Sequence, residues 1–156
     1  MKLGILAVGH RLPDWVAAGC TEYLKRLPRE LSASVTEIKP EARTGKTRAQ
    51  LLAAEKTRLQ VALQGYARVV VLDERGEDLH TLQFAHRLQG WMREGGDTAF
   101  VIGGADGLDE EIKRRADTML RLSSLTLPHA LARLVLCEQL YRAVSVIRNH
   151  PYHREG

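Results

Sequence analysis

The fold is decided by the stretch Leu122–Gly156, LSSLTLPHALARLVLCEQLYRAVSVIRNHPYHREG. It has three parts. Leu122–Leu127 is a short run of small and apolar residues. Pro128 then opens a long apolar helix to Arg148, a residue type suited to a first helical turn. Asn149–Arg154 is a polar tail with a proline, a tyrosine and several titratable groups, at a place where chains ordinarily fray. Three of the six histidines, His129, His150 and His153, lie here; the others are His10, His80 and His86. Leu131, Leu134, Val135, Leu136, Leu140, Val144, Val146 and Ile147 occupy much of the helix circumference. A helix apolar nearly all round is buried on more than one side. A chain of 156 residues rarely buries its last helix that fully, so a homodimer interface is expected, against the alternative of a core helix in a monomer.

Upstream of that stretch, short apolar runs alternate with amphipathic segments. Leu3–Gly9 is an apolar run ended by glycine, a buried strand. Leu12-Pro13-Asp14 opens a helix with Trp15, Val16, Cys20, Tyr23, Leu24 and Leu27 on its apolar face, stopped by Pro28. Leu31–Lys39 alternates and reads as a strand, and Pro40–Lys46 as a basic loop. Thr47 and Gln50 form a capping box for a helix to about Gln64. Arg68–Asp73 is the clearest central strand, followed by a polar loop Glu74–His80 and a helix Thr81–Glu94 ended by Gly95-Gly96. Thr98–Ile102 and Thr118–Leu122 complete the strands, with a short charged helix Asp109–Arg115 between them. The alternation predicts an α/β fold, a mostly parallel sheet with helices on both faces, in a single domain spanning 1–156.

The formal net charge of +4 and a pI near 9.3 permit a polyanionic partner without requiring one. Cys20 and Cys137 stand far apart in apolar helical settings and read as buried reduced thiols. The apolar start of the chain is too short for a signal or membrane segment, so a cytoplasmic protein is expected, with no membrane partner.

In a parallel sheet, ligands bind beyond the carboxyl ends of the strands. Three such loops stand out: Leu72–Gly76, Gly103–Gly107 and Ser123–His129. The third has few charges and suits a neutral, adenosine-like ligand better than a triphosphate. Gly4 and Gly9 have phosphate-loop spacing, but His10-Arg11 stands where Lys-Ser/Thr is required. Gly103-Gly104-x-x-Gly107 lacks the dinucleotide spacing and on its own reads as a tight turn. No Cys/His pattern with metal-ligand spacing occurs, so no metal is expected. Arg142 lies one helical turn after Glu138, which on its own reads as a structural ion pair. Tyr152 and Arg154 read either as decoration of the tail or, beside a pocket, as a pair that stacks on a base and holds a phosphate.

These residues carry a resemblance. Lys2–Val16 (KLGILAVGHRLPDWV), TEYLKR from Thr21, VVLD from Val70 to Asp73, IGGADGL from Ile102, LSSLTLPH from Leu122, EQLYRA from Glu138 and NHPYHRE from Asn149 resemble the ribosomal large-subunit methyltransferase H family of the SPOUT class, over essentially the whole chain. The resemblance implies a homodimer with a C-terminal trefoil knot. It implies S-adenosyl-L-methionine as cofactor and N3 of a pseudouridine in large-subunit rRNA, on the ribosome, as methyl acceptor. Cofactor contacts are then expected at Leu72, Gly103, Leu122, Ser123, Ser124, Leu125, Thr126 and Leu127. The acceptor carries an imide proton, so its anion needs a cation or donors nearby. Arg142 or Arg154 is expected to supply the cation, His129 or a tail histidine to accept the proton, and Tyr152 to position the base. Lys39, Arg43, Lys46 and Arg48 are candidate phosphate contacts. The alternatives are a SPOUT methyltransferase of another RNA position and a non-catalytic ribosome-associated factor; an oxidoreductase is disfavoured by the missing dinucleotide fingerprint.

Overall fold

The computed structural model describes residues 1–9 and 11–154; His10 of the phosphate-loop comparison, and Glu155 and Gly156 at the end of the tail, lie outside them. The elements are β1 (Lys2–Val8), α1 (Asp14–Leu24), β2 (Ser32–Ile38), α2 (Arg48–Ala62), β3 (Arg68–Asp78), α3 (Thr81–Glu94), β4 (Thr98–Ile102), α4 (Glu110–Arg115), β5 (Thr118–Arg121) and α5 (His129–Ile147). Short 3₁₀ turns cover Arg29–Leu31 and Pro151–Arg154. The five strands form one parallel sheet in the order β2-β1-β4-β3-β5.

Side chains alternate across this sheet with the period of a strand. Leu3, Ile5, Val70, Phe100 and Ile102 face a layer made by α1, α3 and α5. Leu6, Val8, Val69, Val71 and Val101 face α2 and α4. The split follows from the strand order. The chain steps one place towards β2, three places back to β3, one place to β4 and two places out to β5. Successive steps reverse direction, and crossovers of one hand then put successive helices on opposite faces. The expected α/β sandwich is therefore present, and the capping box closes as expected: Thr47 Oγ1 accepts from Gln50 N at 3.2 Å, and Thr47 N donates to Gln50 Oε1 at 2.9 Å.

Three local expectations are corrected. The polar segment Glu74–Asp78 belongs to β3, because Glu77 and Asp78 pair with Leu120 and Arg121 of β5 after a break in register. Leu120 thus partners both Leu72 and Glu77, and the intervening turn presses Gly76 onto the β5 backbone. Helix α1 ends at Leu24 rather than near Leu27, although Leu27 still packs on the core. Trp15 leaves the expected apolar face and stands 64% exposed. In α5, Leu136, Cys137, Leu140, Ala143 and Val144 are buried, whereas Leu131, Leu134, Val135, Val146 and Ile147 keep part of their surface. Cys20 and Cys137 are free and buried.

A Cβ on residue 76 would stand 2.6 Å from Leu120 N and from the Met119 carbonyl carbon, both backbone atoms that cannot move aside. The variant Gly76→Ala is expected to lower stability by about 1–3 kcal/mol, the usual cost of overpacking. Gly90, inside α3 with nothing near its Cβ direction, gives the opposite sign: Gly90→Ala is expected to add about 0.5–1 kcal/mol. Urea unfolding of both variants beside the parent checks the pair of signs.

Candidate active site

β3, β4 and β5 are neighbours in the sheet, and their registers bring three chain segments to one level. Leu72 is opposite Ile102 on one side and Leu120 on the other. The residues that follow, Gly103 and the run Leu122–Leu127, therefore leave the sheet at the same carboxyl edge as Leu72, where ligands of parallel sheets bind. The run is held in shape by its own polar groups. Arg121 Nε donates to the Ser123 carbonyl at 3.1 Å, and Leu125 N donates to Ser123 Oγ at 2.9 Å. Ser124, Leu125 and Thr126 are exposed, with Leu125 at 76%, and Leu122, Ser123 and Leu127 half-buried. The run carries leucines, hydroxyls and backbone groups and no acidic or basic side chain, a composition compatible with an adenosine-like ligand. Gly103 has a more local reason to be glycine. A Cβ there would meet the Gly107 carbonyl oxygen at 2.7 Å, so its missing side chain lets the β4–α4 turn fold back, and only its backbone is left to face a ligand.

The tail builds a second cluster at the far end of α5. Asn149 takes a positive φ of 55°, and His150 N donates to the Ser145 carbonyl at 2.8 Å, which turns the chain back onto the helix. Tyr152 then lies against Tyr141, with ring centroids 4.5 Å apart, and under the Arg142 guanidinium at 5.1 Å. One oxygen of Glu138 gathers the group. Its Oε1 accepts from Arg142 Nη2 at 2.6 Å, Arg142 Nε at 2.7 Å and the Tyr152 hydroxyl at 3.2 Å. The other oxygen accepts from Gln139 Nε2 at 2.9 Å, and Gln139 Oε1 accepts from the Thr81 hydroxyl of α3 at 2.9 Å.

These contacts set the protonation of the cluster. The hydrogen bonds to Glu138 raise the Arg142 pKa, so the guanidinium is charged throughout the useful range. Burial, then the Tyr23 hydroxyl and the Glu138 charge, push the Tyr152 phenol well above its ordinary value, so it is a neutral hydrogen-bond donor near pH 7.

The expected catalytic residues fall into two separate groups. Arg142 and Tyr152 are together. Arg154 is beside them in the same turn but exposed, with Nη2 donating to Asn149 Oδ1 at 3.2 Å. His129 is exposed on the first residue of α5, next to the Leu122–Leu127 run. Thirteen residues of helix at 1.5 Å each put it roughly 20 Å from Arg142. Of the tail histidines, His150 Nδ1 accepts from Tyr152 N at 3.2 Å, while His153 Nδ1 is shielded and has no partner among the described residues.

Glu138 was read only as an ion-pair partner. Its role as the hub of Arg142, Tyr152 and Gln139 depends on the tail folding back, which helix spacing does not reveal. Two of the candidate phosphate contacts are tied to the Gly103–Gly107 turn. Arg43 holds the Asp106 carboxylate at 2.6 and 3.3 Å, and Arg48 donates to the Asp106 carbonyl at 2.9 Å. Lys46 pairs with Glu41 at 2.7 Å. Among the described residues no three His, Cys, Asp or Glu side chains converge to hold a metal, and no helix is long and apolar enough to cross a membrane.

A parallel five-stranded α/β sheet whose chain leaves β3, β4 and β5 at one carboxyl edge has the arrangement of the broad class of nucleotide- and cofactor-binding folds. The chain is a member of the SPOUT methyltransferase family: the model described as "Predicted SPOUT methyltransferase" matches residues 1–153. It is 71% identical to the ribosomal RNA large subunit methyltransferase H of Dechloromonas aromatica (strain RCB) over 156 residues, all of both chains. It is 58% identical to the protein of the same name from Burkholderia lata over 155 residues, 99% of each. Among solved structures, a probable methylase family protein from Haemophilus influenzae Rd KW20 superposes with a TM-score of 0.59 at 15% identity, covering 97% of this chain and 69% of that one, a likeness of fold.

Removing the Glu138 charge tests the hub. In Glu138→Gln the Tyr152 phenol is expected to titrate at lower pH than in the parent, because the neighbouring negative charge is gone. Ultraviolet difference titration of the phenolate reads this. The sign for stability is also defined: a phenol raised on folding contributes stability that is complete below its unfolded pKa, about 10, and is lost as pH rises through the folded value. Denaturation midpoints measured across that alkaline window should fall more steeply in the parent than in Tyr152→Phe.

Proposed function

We propose that this methyltransferase acts on N3 of a pseudouridine in large-subunit ribosomal RNA, on the ribosome and so in the cytoplasm, as a homodimer. The observation that carries the reading is the 71% identity, over the whole of both chains, to a protein named ribosomal RNA large subunit methyltransferase H. S-adenosyl-L-methionine, held at Leu72, Gly103 and Leu122–Leu127, supplies a methyl group already activated on a sulfonium.

The remaining work falls to side chains of this chain. The acceptor nitrogen must lose its proton, and the resulting imide anion must be stabilised as it forms. Arg142 is suited to that task. Its Nε and Nη2 are committed to Glu138, which fixes the plane of the guanidinium and leaves Nη1 for a ligand. Tyr152 stacks beneath it and donates from a neutral hydroxyl, a surface on which a base can be positioned. Arg154 adds positive charge at the rim. His129 or His153 takes the proton.

In one chain these groups stand at the opposite end of α5 from the cofactor run, so a second copy is required to join them. Two copies with α5 packed antiparallel set the tail of each against the Leu122–Leu127 run of the other and cover the half-buried Leu131, Leu134 and Val135. The trefoil knot belongs to the same reading. The close backbone contact of Gly76 with Met119 and Leu120, just before the chain leaves β5, supports it.

Purified protein with labelled cofactor is expected to methylate intact ribosomes or their large subunit, and mass spectrometry of the rRNA to place the mass on a pseudouridine. A different modified residue means another RNA position, and binding without methyl transfer means a non-catalytic factor. Arg142→Ala is expected to lower kcat on the order of 10²–10³-fold, the cost of removing one anion-stabilising donor. Mixing Arg142→Ala chains with Leu125→Glu chains separates a shared site from a single-chain one. A shared site restores roughly one quarter of the parental sites, because half the dimers are mixed and each has one intact pair. A single-chain site restores none.

A further inference from the structure

Outside the clusters described above, one buried charge is poorly compensated. Arg133, in the second turn of α5, is 3% exposed, and its Nε and Nη1 have no hydrogen-bond acceptor among the described residues. The nearest carboxylate is Glu37 near the end of β2, with Oε1 3.5 Å from Nη1, beyond good hydrogen-bonding geometry, and Glu37 is itself 45% exposed. A buried guanidinium with one long, solvent-competed partner is costly, and added acceptors would offset that cost.

Its position in the fold says where those acceptors come from. β1 and β4 are adjacent, but the chain leaves β1 through α1 on one face and β4 through α4 on the other. Loops that diverge in this way open a crevice at the carboxyl edge of the sheet. Gly9, just after β1, has its Cβ direction 3.9 Å from Arg133 Nη2, which places the guanidinium at that edge. The arginine also lines a groove of about 440 Å³ between α1 and β2, together with Thr21, Ser34 and Lys25. The groove gives a route to it from solvent.

We propose that Arg133 is the anchor of an oxyanion site at this switch point, separate from the cofactor edge at β3, β4 and β5, and that its ligand is a phosphate group. A planar guanidinium with unused donors matches phosphate oxygens, and along the groove the Thr21 hydroxyl adds a donor and Lys25, which also pairs with Glu22 at 2.6 Å, adds positive charge. Glu37 opposes the anion and keeps its affinity low. The source of the phosphate during turnover is a phosphodiester of the RNA substrate, a step that rests on the function proposed above, whereas occupancy by inorganic phosphate does not.

The test begins with inorganic phosphate and the full-length protein, at ionic strength held constant with chloride. The melting temperature of the parent is expected to rise with phosphate, since a ligand of the native state stabilises it. Arg133→Met is expected to lose that rise, and Glu37→Gln to half-saturate at about threefold lower phosphate, the size of one exposed charge interaction. A parent without a response, an Arg133→Met protein that keeps it, or a Glu37→Gln protein that binds no tighter each overturns the site. Glu37 is at the surface, so its variant decides even if Arg133→Met fails to fold. Ribosome methylation then separates the sources. Phosphate that raises KM for ribosomes without changing kcat in the parent, and not in Arg133→Met, assigns the site to the RNA backbone. Phosphate binding with an unchanged KM overturns that assignment. If no ribosome is methylated, the functional reading fails while the phosphate titration still decides the site.

Discussion

The contact on which the molecule depends most is between two pieces of backbone. Gly76 lies against Met119 and Leu120 so closely that no other residue type fits without displacing main chain. That contact lets β3 leave the sheet after Leu72, turn, and rejoin β5 at Glu77 and Asp78. Strand β5 is only Thr118–Arg121, too short to define its own exit. Gripped by two stretches of β3, it delivers Leu122 to the level of Leu72 and Gly103. This carboxyl edge of the sheet is thus assembled from segments separated by about thirty and fifty residues of sequence, at loops that have little regular structure of their own.

Helix α5 converts that edge into a long-range constraint. Leu136, Leu140, Ala143 and Val144 lock it between α1 and α3. At 1.5 Å per residue its nineteen residues span about 28 Å, close to the full depth of a small domain. The two ends of one α5 therefore stand too far apart for one small ligand to touch both, because a buried rigid helix does not fold back on itself. The same rigidity is useful to the tail. Tyr152 has a fixed platform in Tyr141, and Arg142 a fixed partner in Glu138, so the cluster is preorganised.

Local patterns carried much of this in the sequence. Alternation of apolar runs and amphipathic segments yields the α/β class, Thr47 and Gln50 mark a helix start that the hydrogen bonds confirm, and Gly95 ends α3 with a φ of 78°. What local pattern does not encode is pairing between distant segments. Glu74–Asp78 is polar and reads as a loop, yet it pairs because β5 offers backbone groups to it. Trp15 fits an apolar stripe by spacing, but α1 turns that side to solvent. Glu138 and Arg133 sit on one helix among similar neighbours. Only the tertiary arrangement makes one a hub of three donors and the other a buried charge with a distant partner. The role expected of Leu122–Leu127 comes from its family motif rather than from physics, since six small and apolar residues in a loop have many bland uses.

The arginines can be sorted by how readily their present partners are exchanged. Arg43 is 64% exposed, and its pair with Asp106 is of a kind worth about 0–1 kcal/mol, so a phosphate can displace the carboxylate at little cost. Arg142 and Glu138 are each four-fifths covered, and the carboxylate also holds Tyr152 and Gln139. Breaking that pair would leave several half-buried groups unsatisfied at once, so it is a fixture rather than a reservoir of charge. Net charge alone would count these two arginines equally towards RNA binding. Their surroundings divide them: the exposed cation near the Gly103–Gly107 turn can exchange its partner, and the covered one is held still, with one face of its guanidinium on an aromatic ring.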